Sequence, residues 1–234
     1  MLEKRKPIIG LTMGDPIGIG PEIIVKAFTK LNSCLDWHPV IFGDAWVLEQ
    51  VINKLGSNLQ LRVCENLAEL TAGPCIVDLK VHSGRNWNLG QVGAWGGESS
   101  FQFLKVAIEA ALANQIDAIT TAPISKTALH MAGHHFPGHT EILSALSNGA
   151  PPIMMLTVDG LRAVHVSTHV SLRNAIEQLQ PKRILEVAQV THDTLRRMGI
   201  ENPRLALPGL NPHAGEEGLF GDEEEEILLS LIHI

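Results

Sequence analysis

Tyrosine is absent from this chain of 234 residues, so no mechanism that uses a tyrosine as acid or base is open to it. No run of about 18 apolar residues is present either, which predicts that no helix crosses a membrane. The basic start, residues 3–7, is followed by no apolar segment with a small-residue cleavage site, which argues against a secretory signal peptide. Together these absences predict a cytoplasmic protein without a membrane partner.

Basic residues and cysteines are also few. Lys and Arg number 18 against 25 Asp and Glu, a net charge of −7. No basic stripe is available to neutralise phosphates, which argues against a nucleic-acid partner. Cys34, Cys64 and Cys75 share no C-x-x-C spacing, and an odd, scattered set predicts free thiols in a reducing compartment. Hydrophobic residues make up 45% of the chain, enough for a sizeable core in one large or two small domains.

Short apolar runs alternate with helical patterns, which predicts an α/β fold with a largely parallel sheet. The predicted strands are 8–13, 39–44, 60–63, 75–79, 117–122 and 204–210, and the predicted helices are 21–31, 45–55, 98–114 and 181–198. Asp159-Gly160 predicts a hairpin between 153–158 and 161–170. The break at Ala122-Pro123 predicts two α/β domains, 1–122 and 123–228. The Gly-rich residues 83–97 are expected to form a surface loop.

The segment TMGDPIGIGPEI, residues 12–23, places a Gly-rich turn between a strand and a helix. Its spacing does not fit the dinucleotide fingerprint, because Ile23 stands where a Gly is needed, and it contains no P-loop Gly-Lys-Ser/Thr. A tight turn without a ligand therefore stays open beside a ligand site. Asp15 favours the site, because a carboxylate at the carboxyl end of a strand lies where open α/β sheets bind ligands.

Residues 120–143, TTAPISKTALHMAGHHFPGHTEIL, hold four histidines. His130 and His134 have a helical metal spacing, but a Gly between them and a Pro shortly after argue against a metal. His139 and Thr140 stand at the start of a predicted helix that Thr140 can cap, and the free N–H groups of a helix start suit a phosphate or carboxylate. A simple cap with an exposed histidine is the alternative.

Two further histidine segments follow. In HVSTHV, residues 165–170, His165 and His169 are expected to share one face of a strand. A surface or core histidine is the alternative to a metal ligand there. His213 lies in an Asn-Pro-His-Ala-Gly-Glu loop, which suits metal or substrate contact. The acidic residues 222–226 are expected to form a solvated first helical turn.

In this order along the chain, GDPIGIGPEI, TAPISK, FPGHTE, STHVSLR and GLNPHAGEEGLFGDEE resemble the 4-hydroxythreonine-4-phosphate dehydrogenase family. A close branch of this family acts on 4-phospho-D-threonate and 4-phospho-D-erythronate. The resemblance runs from residue 7 to about residue 227. It implies an isocitrate/isopropylmalate dehydrogenase-like fold, with two α/β domains flanking a cleft, and a homodimer.

The resemblance also implies the chemistry. Members of the family oxidise the C3 hydroxyl of 4-phosphooxy-L-threonine with NAD or NADP, and the β-keto acid then loses CO2 to give 3-amino-2-oxopropyl phosphate in vitamin B6 biosynthesis. A divalent metal, expected to be Zn, Co or Mg, is bound through three histidines and stabilises the developing alkoxide. By motif, His169 and His213 are the expected metal ligands. The expected substrate contacts are Asp15, Lys126, His139 and Thr140.

The family motif with the third metal histidine and most of the nucleotide-binding segment have no counterpart here. The chain is therefore expected to be a C-terminally truncated fragment that is inactive by itself. Its last residues, 229–234, can be back-translated into a sequencing adapter and are expected to be non-native. Two other classes stay open: a phosphate acyltransferase on a related fold, which needs no metal triad, and a non-catalytic fragment.

Overall fold

The computed structural model describes residues 5–31, 36–64, 67, 70, 73–81, 87–147 and 152–228. Cys34 and the predicted non-native tail, 229–234, lie outside these residues. The chain divides into two compact units, Met1–Pro152 and Ile153–Ile234. This division falls later in the chain than the expected boundary at 122/123.

The first unit is built on one parallel sheet. Its elements in chain order are β1 Ile8–Thr12, α1 Gly20–Lys30, β2 His38–Gly43, α2 Ala45–Leu55, β3 Arg62–Val63, β4 Cys75–Asp78, α3 Ala94–Leu112, β5 Ala118–Thr121, α4 Lys126–Met131 and α5 His139–Leu146. The strands are ordered β3-β4-β2-β1-β5, and every pairing is parallel. The predicted α/β class is confirmed.

Helices α4 and α5 belong to the first unit because they share a core with α3. Leu104 and Ile108 of α3 are buried against Leu129 of α4 and Ile142 of α5. A break at Ala122-Pro123 therefore ends a strand without ending the compact unit. The Pro residue marks the point where the chain leaves the sheet to form two short helices on the same core.

Helix α3 begins at Ala94, several residues before the predicted start at 98. Gly96 and Gly97, which were expected in a surface loop, lie in its first turns and are buried. A Cβ atom added at Gly97 would overlap the backbone carbonyl of Ala128. The glycines are thus explained by the close approach of α3 to α4, and not by loop conformation.

The prediction of free thiols is wrong for two of the three cysteines. Cys64 and Cys75 form a disulfide, with their Cα atoms 5.6 Å apart. Cys75 is the first residue of β4, and Cys64 directly follows the neighbouring strand β3, with its N–H donating to the Ile76 carbonyl. Strand pairing brings the two residues together, which their spacing in the sequence does not reveal.

The second unit contains β6 Met155–Val158, β7 Leu161–Val164, α6 Leu172–Glu177, α7 Pro181–Arg197 and a π-helical turn, Glu224–Leu228. Strands β6 and β7 are antiparallel, so the predicted hairpin at Asp159-Gly160 is confirmed. Both turn residues have positive φ, 37° and 85°, as a two-residue type I′ turn requires. Helix α7 follows the predicted bounds closely and buries one face through Ile184, Val187, Thr191 and Leu195.

Two strand predictions in this unit are wrong. Residues 204–210 form no strand, because none of the described strands pairs with them. Residues 204–209 line one wall of an apolar cavity of about 920 Å³, and side chains of α7 line another. Strand β7 ends at Val164, so His165 and His169 do not share a strand face. His169 instead has a positive φ of 59° and lies in an irregular segment.

None of the helices in the described ranges combines the length and the apolar character that a membrane span requires.

Candidate functional site

In the first unit, the loops after β1 and β5 meet at the carboxyl edge of the sheet. The strands are neighbours, and the Asp15 N–H donates to the Pro123 carbonyl at 3.0 Å. This edge is where open α/β sheets bind ligands. Two of the four predicted substrate residues contact the segment that follows β5: Asp15 bonds to Pro123, and His139 has a hydrogen bond with the Ala122 backbone. Lys126 is the first residue of α4, and Thr140 follows His139 in α5.

Asp15 is buried, with 5% of its surface exposed. Its Oδ1 atom accepts a hydrogen bond from the Ile17 N–H at 3.1 Å, and the first turns of α3 come so close that a Cβ at Gly96 would overlap the carboxylate. Burial raises the pKa of Asp15, against the opposing effect of the Ile17 hydrogen bond. The carboxylate is therefore held inside the protein with little room for a ligand beside it.

The turn that contains Asp15 is covered by a loop. Trp87 Nε1 donates to the Pro16 carbonyl at 2.9 Å, and the Gly90 N–H donates to the Ile17 carbonyl at 2.7 Å. These contacts explain why Asp15 is buried although its segment is rich in glycine. Trp87 was not singled out from the sequence, because a contact across 71 positions leaves no local pattern.

In the glycines of the same turn, the position that a Cβ atom would occupy is already taken or closely approached by other protein atoms. A Cβ at Gly14 would overlap the Pro123 carbonyl, and one at Gly20 would overlap the Met13 carbonyl. A Cβ at Gly18 would lie 3.3 Å from the Cβ of Asp15. The packing accounts for these glycines without a ligand, which supports the tight-turn interpretation for this segment.

His139 is the first residue of α5 and points a polar atom into the protein. Its Nε2 atom is buried and has no hydrogen-bond partner in the described part of the chain. Burial lowers the pKa of His139, while a hydrogen bond with the Ala122 backbone acts to raise it. A bond that favours the protonated ring is one in which a ring N–H donates to the carbonyl. The neutral ring then presents Nε2 as an unpaired acceptor.

Helix α5 begins two residues earlier than a cap at Thr140 predicts. Its N-cap is Gly138, which has no side chain to cap the helix, so the prediction that Thr140 caps it is wrong. Thr140 lies instead in the first turn, where N–H groups have no intrahelical acceptor. Lys126, the exposed first residue of α4, adds a cation that follows the same sheet edge. The free N–H groups of a helix start with a threonine suit an anion.

The loop before α5 is attached to α3 by a contact that the sequence did not reveal. His134 Nε2 lies 2.8 Å from Glu98 Oε2, and the His134 ring stacks on Phe101 with ring centroids 3.8 Å apart. Glu98 and Phe101 both lie on α3. The contacts of His134 with them therefore hold the loop that leads to His139 against that helix.

In the second unit, His213 lies in a turn in which the Glu216 N–H donates to the His213 carbonyl. Its Nδ1 atom is 3.4 Å from Glu216 Oε2, and its ring centroid is 5.2 Å from that of Phe220. The His213 N–H donates to Asn211 Oδ1 at 2.8 Å. A carboxylate beside Nδ1 is the usual way in which a protein orients a histidine whose Nε2 is a ligand.

The second predicted metal ligand, His169, is exposed. Within the ranges that the structure covers, no group of three or more His, Cys, Asp or Glu side chains is arranged to hold a metal ion. The described residues therefore supply no third ligand for a metal site that would contain His169 or His213.

Replacing Asp15 with asparagine is expected to raise the free energy of unfolding at neutral pH. Asparagine keeps an oxygen that can accept from the Ile17 N–H, but it carries no buried charge. Because the pKa of Asp15 is raised in the folded state, its stabilising contribution is complete below the ordinary aspartate pKa of 3.8 and is lost as the pH rises through the folded-state pKa. Urea unfolding at several pH values should show the advantage of the variant growing from acid to neutral pH. An advantage that shrinks over the same range would mean that the ionised carboxylate is stabilised.

Comparison with known proteins gives consistent matches. Residues 36–233 match the family model described as "Pyridoxal phosphate biosynthetic protein PdxA". The D-threonate 4-phosphate dehydrogenase of Salmonella typhimurium (strain LT2) is 42% identical over 229 residues, which are 96% of this chain and 69% of that protein. The D-threonate 4-phosphate dehydrogenase of Cupriavidus necator is 40% identical over 223 residues, 94% of this chain and 67% of that protein.

A solved structure agrees in fold. The 4-hydroxythreonine-4-phosphate dehydrogenase from Klebsiella pneumoniae superimposes with a TM-score of 0.90 at 37% identity. The superposition covers 99% of this chain and 71% of that chain.

Proposed function

The chain belongs to the PdxA family of dehydrogenases, and on this premise we propose that it oxidises the C3 hydroxyl of a phosphorylated four-carbon acid with NAD or NADP. In this reaction the C3 hydrogen leaves as hydride to the nicotinamide, and the hydroxyl proton leaves to a base. The product is a β-keto acid. Its C1 carboxylate then leaves as CO2, and C2 takes up a proton.

D-threonate 4-phosphate is the substrate that we favour. The Salmonella typhimurium and Cupriavidus necator relatives both carry its name, at 42% and 40% identity. The alternative is 4-phosphooxy-L-threonine, which corresponds to the name of the Klebsiella pneumoniae structure, at 37% identity. That substrate would give 3-amino-2-oxopropyl phosphate and place the enzyme in pyridoxal phosphate biosynthesis. A phosphate acyltransferase is not proposed, because these relatives are named dehydrogenases.

The start of α5 is the proposed contact for an anionic group of the substrate. Thr140 and the backbone N–H groups of the first turn would donate to phosphate or carboxylate oxygens, and Lys126 would add its charge. His139 Nε2, buried and without a partner among the described residues, would accept a hydrogen bond from a substrate hydroxyl. This unpartnered atom at the carboxyl edge of the sheet is the observation that carries the proposal. Asp15 would act indirectly, by holding the turn beside it.

His169 and His213 are proposed as ligands of a divalent metal. Imidazole suits zinc and cobalt. A catalytic zinc usually has three protein ligands, however, and two histidines supply only part of such a set. When bound, the metal would lower the pKa of the reacting hydroxyl and stabilise the alkoxide. A homodimer and a cytoplasmic location stay predictions.

A substrate panel tests the proposed function. The match covers 69% of the Salmonella typhimurium relative, so turnover is measured with a chimera of this chain and the part of that protein that the match leaves uncovered. We expect NAD(P)+ reduction with D-threonate 4-phosphate at a kcat/KM about 100-fold above that for unphosphorylated D-threonate, because binding of a remote phosphate can be used to stabilise the transition state.

The same panel includes 4-phosphooxy-L-threonine and a chimera in which His213 is replaced with alanine. A higher kcat/KM with 4-phosphooxy-L-threonine would assign the alternative substrate. Equal kcat/KM for phosphorylated and unphosphorylated acids would contradict the proposed phosphate contact. The His213→Ala chimera reports whether turnover comes from the part of the protein that this chain supplies.

A further inference from the structure

The sequence predicts that the acidic residues 222–226 form a solvated helical turn. The structure shows that one of them is buried. Glu224 is buried, with 5% of its surface exposed, while its neighbours Glu225 and Glu226 are exposed. A carboxylate is rarely buried unless it has hydrogen-bond donors. The surroundings of Glu224 therefore indicate a specific role for this one side chain.

Glu224 accepts hydrogen bonds from the loop that precedes His213. Its Oε1 atom is 2.9 Å from the Leu210 N–H nitrogen, 3.3 Å from the Asn211 N–H nitrogen and 3.3 Å from Asn211 Nδ2. Three donors from two adjacent residues thus converge on a single oxygen. The carboxylate thus supplies an acceptor for the backbone at Leu210 and Asn211, where none of the described strands does.

The contact extends to His213 through Asn211. Asn211 uses its Nδ2 toward Glu224 and its Oδ1 to accept from the His213 N–H at 2.8 Å. One amide side chain therefore connects the buried carboxylate to the backbone of the histidine. Gly215 closes the turn over the carboxylate: its φ is 83°, and a Cβ there would lie 3.7 Å from Glu224 Oε2.

We propose that Glu224 is the positioning residue for the His213 loop, holding residues 210–213 in the conformation in which His213 can act as a ligand. The ligand role of His213 rests on the proposed function, whereas the hold on the loop does not. Glu224 Oε2 is buried and has no hydrogen-bond partner in the part of the chain that the structure describes. Only Oε1 is needed for the contact, so a glutamine amide oxygen can replace it.

Amide hydrogen exchange of the 234-residue chain tests the hold on the loop. In the Glu224→Ala variant we expect exchange at Leu210, Asn211 and His213 to be about 10-fold faster, because their N–H groups lose a buried acceptor or the residue that presents it. Exchange in α7 should stay unchanged. Glu224→Gln should restore the rates to within about threefold of the wild type. Glu225→Ala, at an exposed glutamate of the same turn, is the matched control.

Two results would overturn the proposal. One is that Glu224→Ala and Glu225→Ala give the same exchange rates at the three loop amides. The other is faster exchange throughout α7 in Glu224→Ala, with no recovery in Glu224→Gln, since this would mean a general loss of stability.

A Co²⁺ titration of the same variants separates this proposal from the metal-ligand role. If His213 binds Co²⁺, Glu224→Ala should weaken binding by about 10- to 100-fold, the usual effect of losing a residue that orients a ligand. Glu224→Gln should bind like the wild type. If neither the wild-type chain nor the chimera binds Co²⁺, the metal part of the proposed function fails, and the exchange experiment alone decides the role of Glu224.

Discussion

Replacement of His139 with alanine is expected to weaken binding of D-threonate 4-phosphate to this chain by about 10- to 100-fold. The buried Nε2 atom has no partner in the described residues, so it is available to pair with a substrate group. Removing it would leave that group buried and unpaired, which costs about 1–3 kcal/mol. Titration calorimetry of the wild type and the variant measures the difference directly.

The matched control for this prediction is His130→Ala. His130 is an exposed histidine of α4, and its ring contacts that of His135 with centroids 5.4 Å apart. We expect this control to bind the phosphorylated acid like the wild type. Equal losses in the two variants would show that the effect is not specific to the start of α5. No loss in His139→Ala would remove His139 from the proposed substrate contacts.

Replacement of Gly20 with alanine is expected to lower the free energy of unfolding by about 3 kcal/mol or more, the upper end of what overpacking of a core costs. Gly20 is the buried first residue of α1, and a Cβ there would overlap the backbone carbonyl of Met13. A backbone oxygen at the end of β1 cannot move aside as a flexible side chain can. Chemical denaturation followed by circular dichroism measures the loss.

Gly18→Ala is the control within the same turn. Its added Cβ would lie 3.3 Å from the nearest atoms, both of Asp15, so only a small adjustment is needed. We expect a loss below about 1 kcal/mol. If Gly20→Ala were as stable as the wild type but failed to bind the substrate, glycine would be needed there for the approach of a ligand, and the packing explanation would be wrong.

Features with a local physical cause were predictable from the sequence. Asp159-Gly160 predicts its hairpin because few residue pairs adopt two consecutive positive φ angles. Buried strands such as β1 and β2 stand out as short apolar runs, and the pattern of α7 gives its bounds. The alternation of these elements then fixes the fold class, because parallel strands need helical crossovers.

Features that depend on distant contacts were missed. The run of four glutamates at 223–226 predicts a solvated turn, and only the fold shows that Glu224 faces inward to the Leu210–Asn211 backbone. Residues 204–210 have the composition of a strand, but a strand also needs a partner for its backbone. The Cys64–Cys75 disulfide depends likewise on which strands are neighbours.

The predicted site residues divide in the same way. Asp15 could be placed at the carboxyl end of a strand, and His139 at the start of a helix, because both positions follow from local sequence patterns. Their surroundings could not be predicted, because Trp87 bonds to the turn of Asp15 from 71 positions away and His139 has a hydrogen bond with the Ala122 backbone. Gly96 and Gly97 were expected in a loop because composition does not separate a flexible glycine from one that lets two helices touch.

The ratio of CO2 released to NAD(P)H formed tests the proposed reaction most directly. It is measured on the chimera of this chain with D-threonate 4-phosphate as substrate. Oxidation at C3 gives a β-keto acid, so we predict one CO2 for each NAD(P)H. Formation of NAD(P)H without CO2 from either the enzyme or the released product would place the oxidation at another carbon and contradict the account.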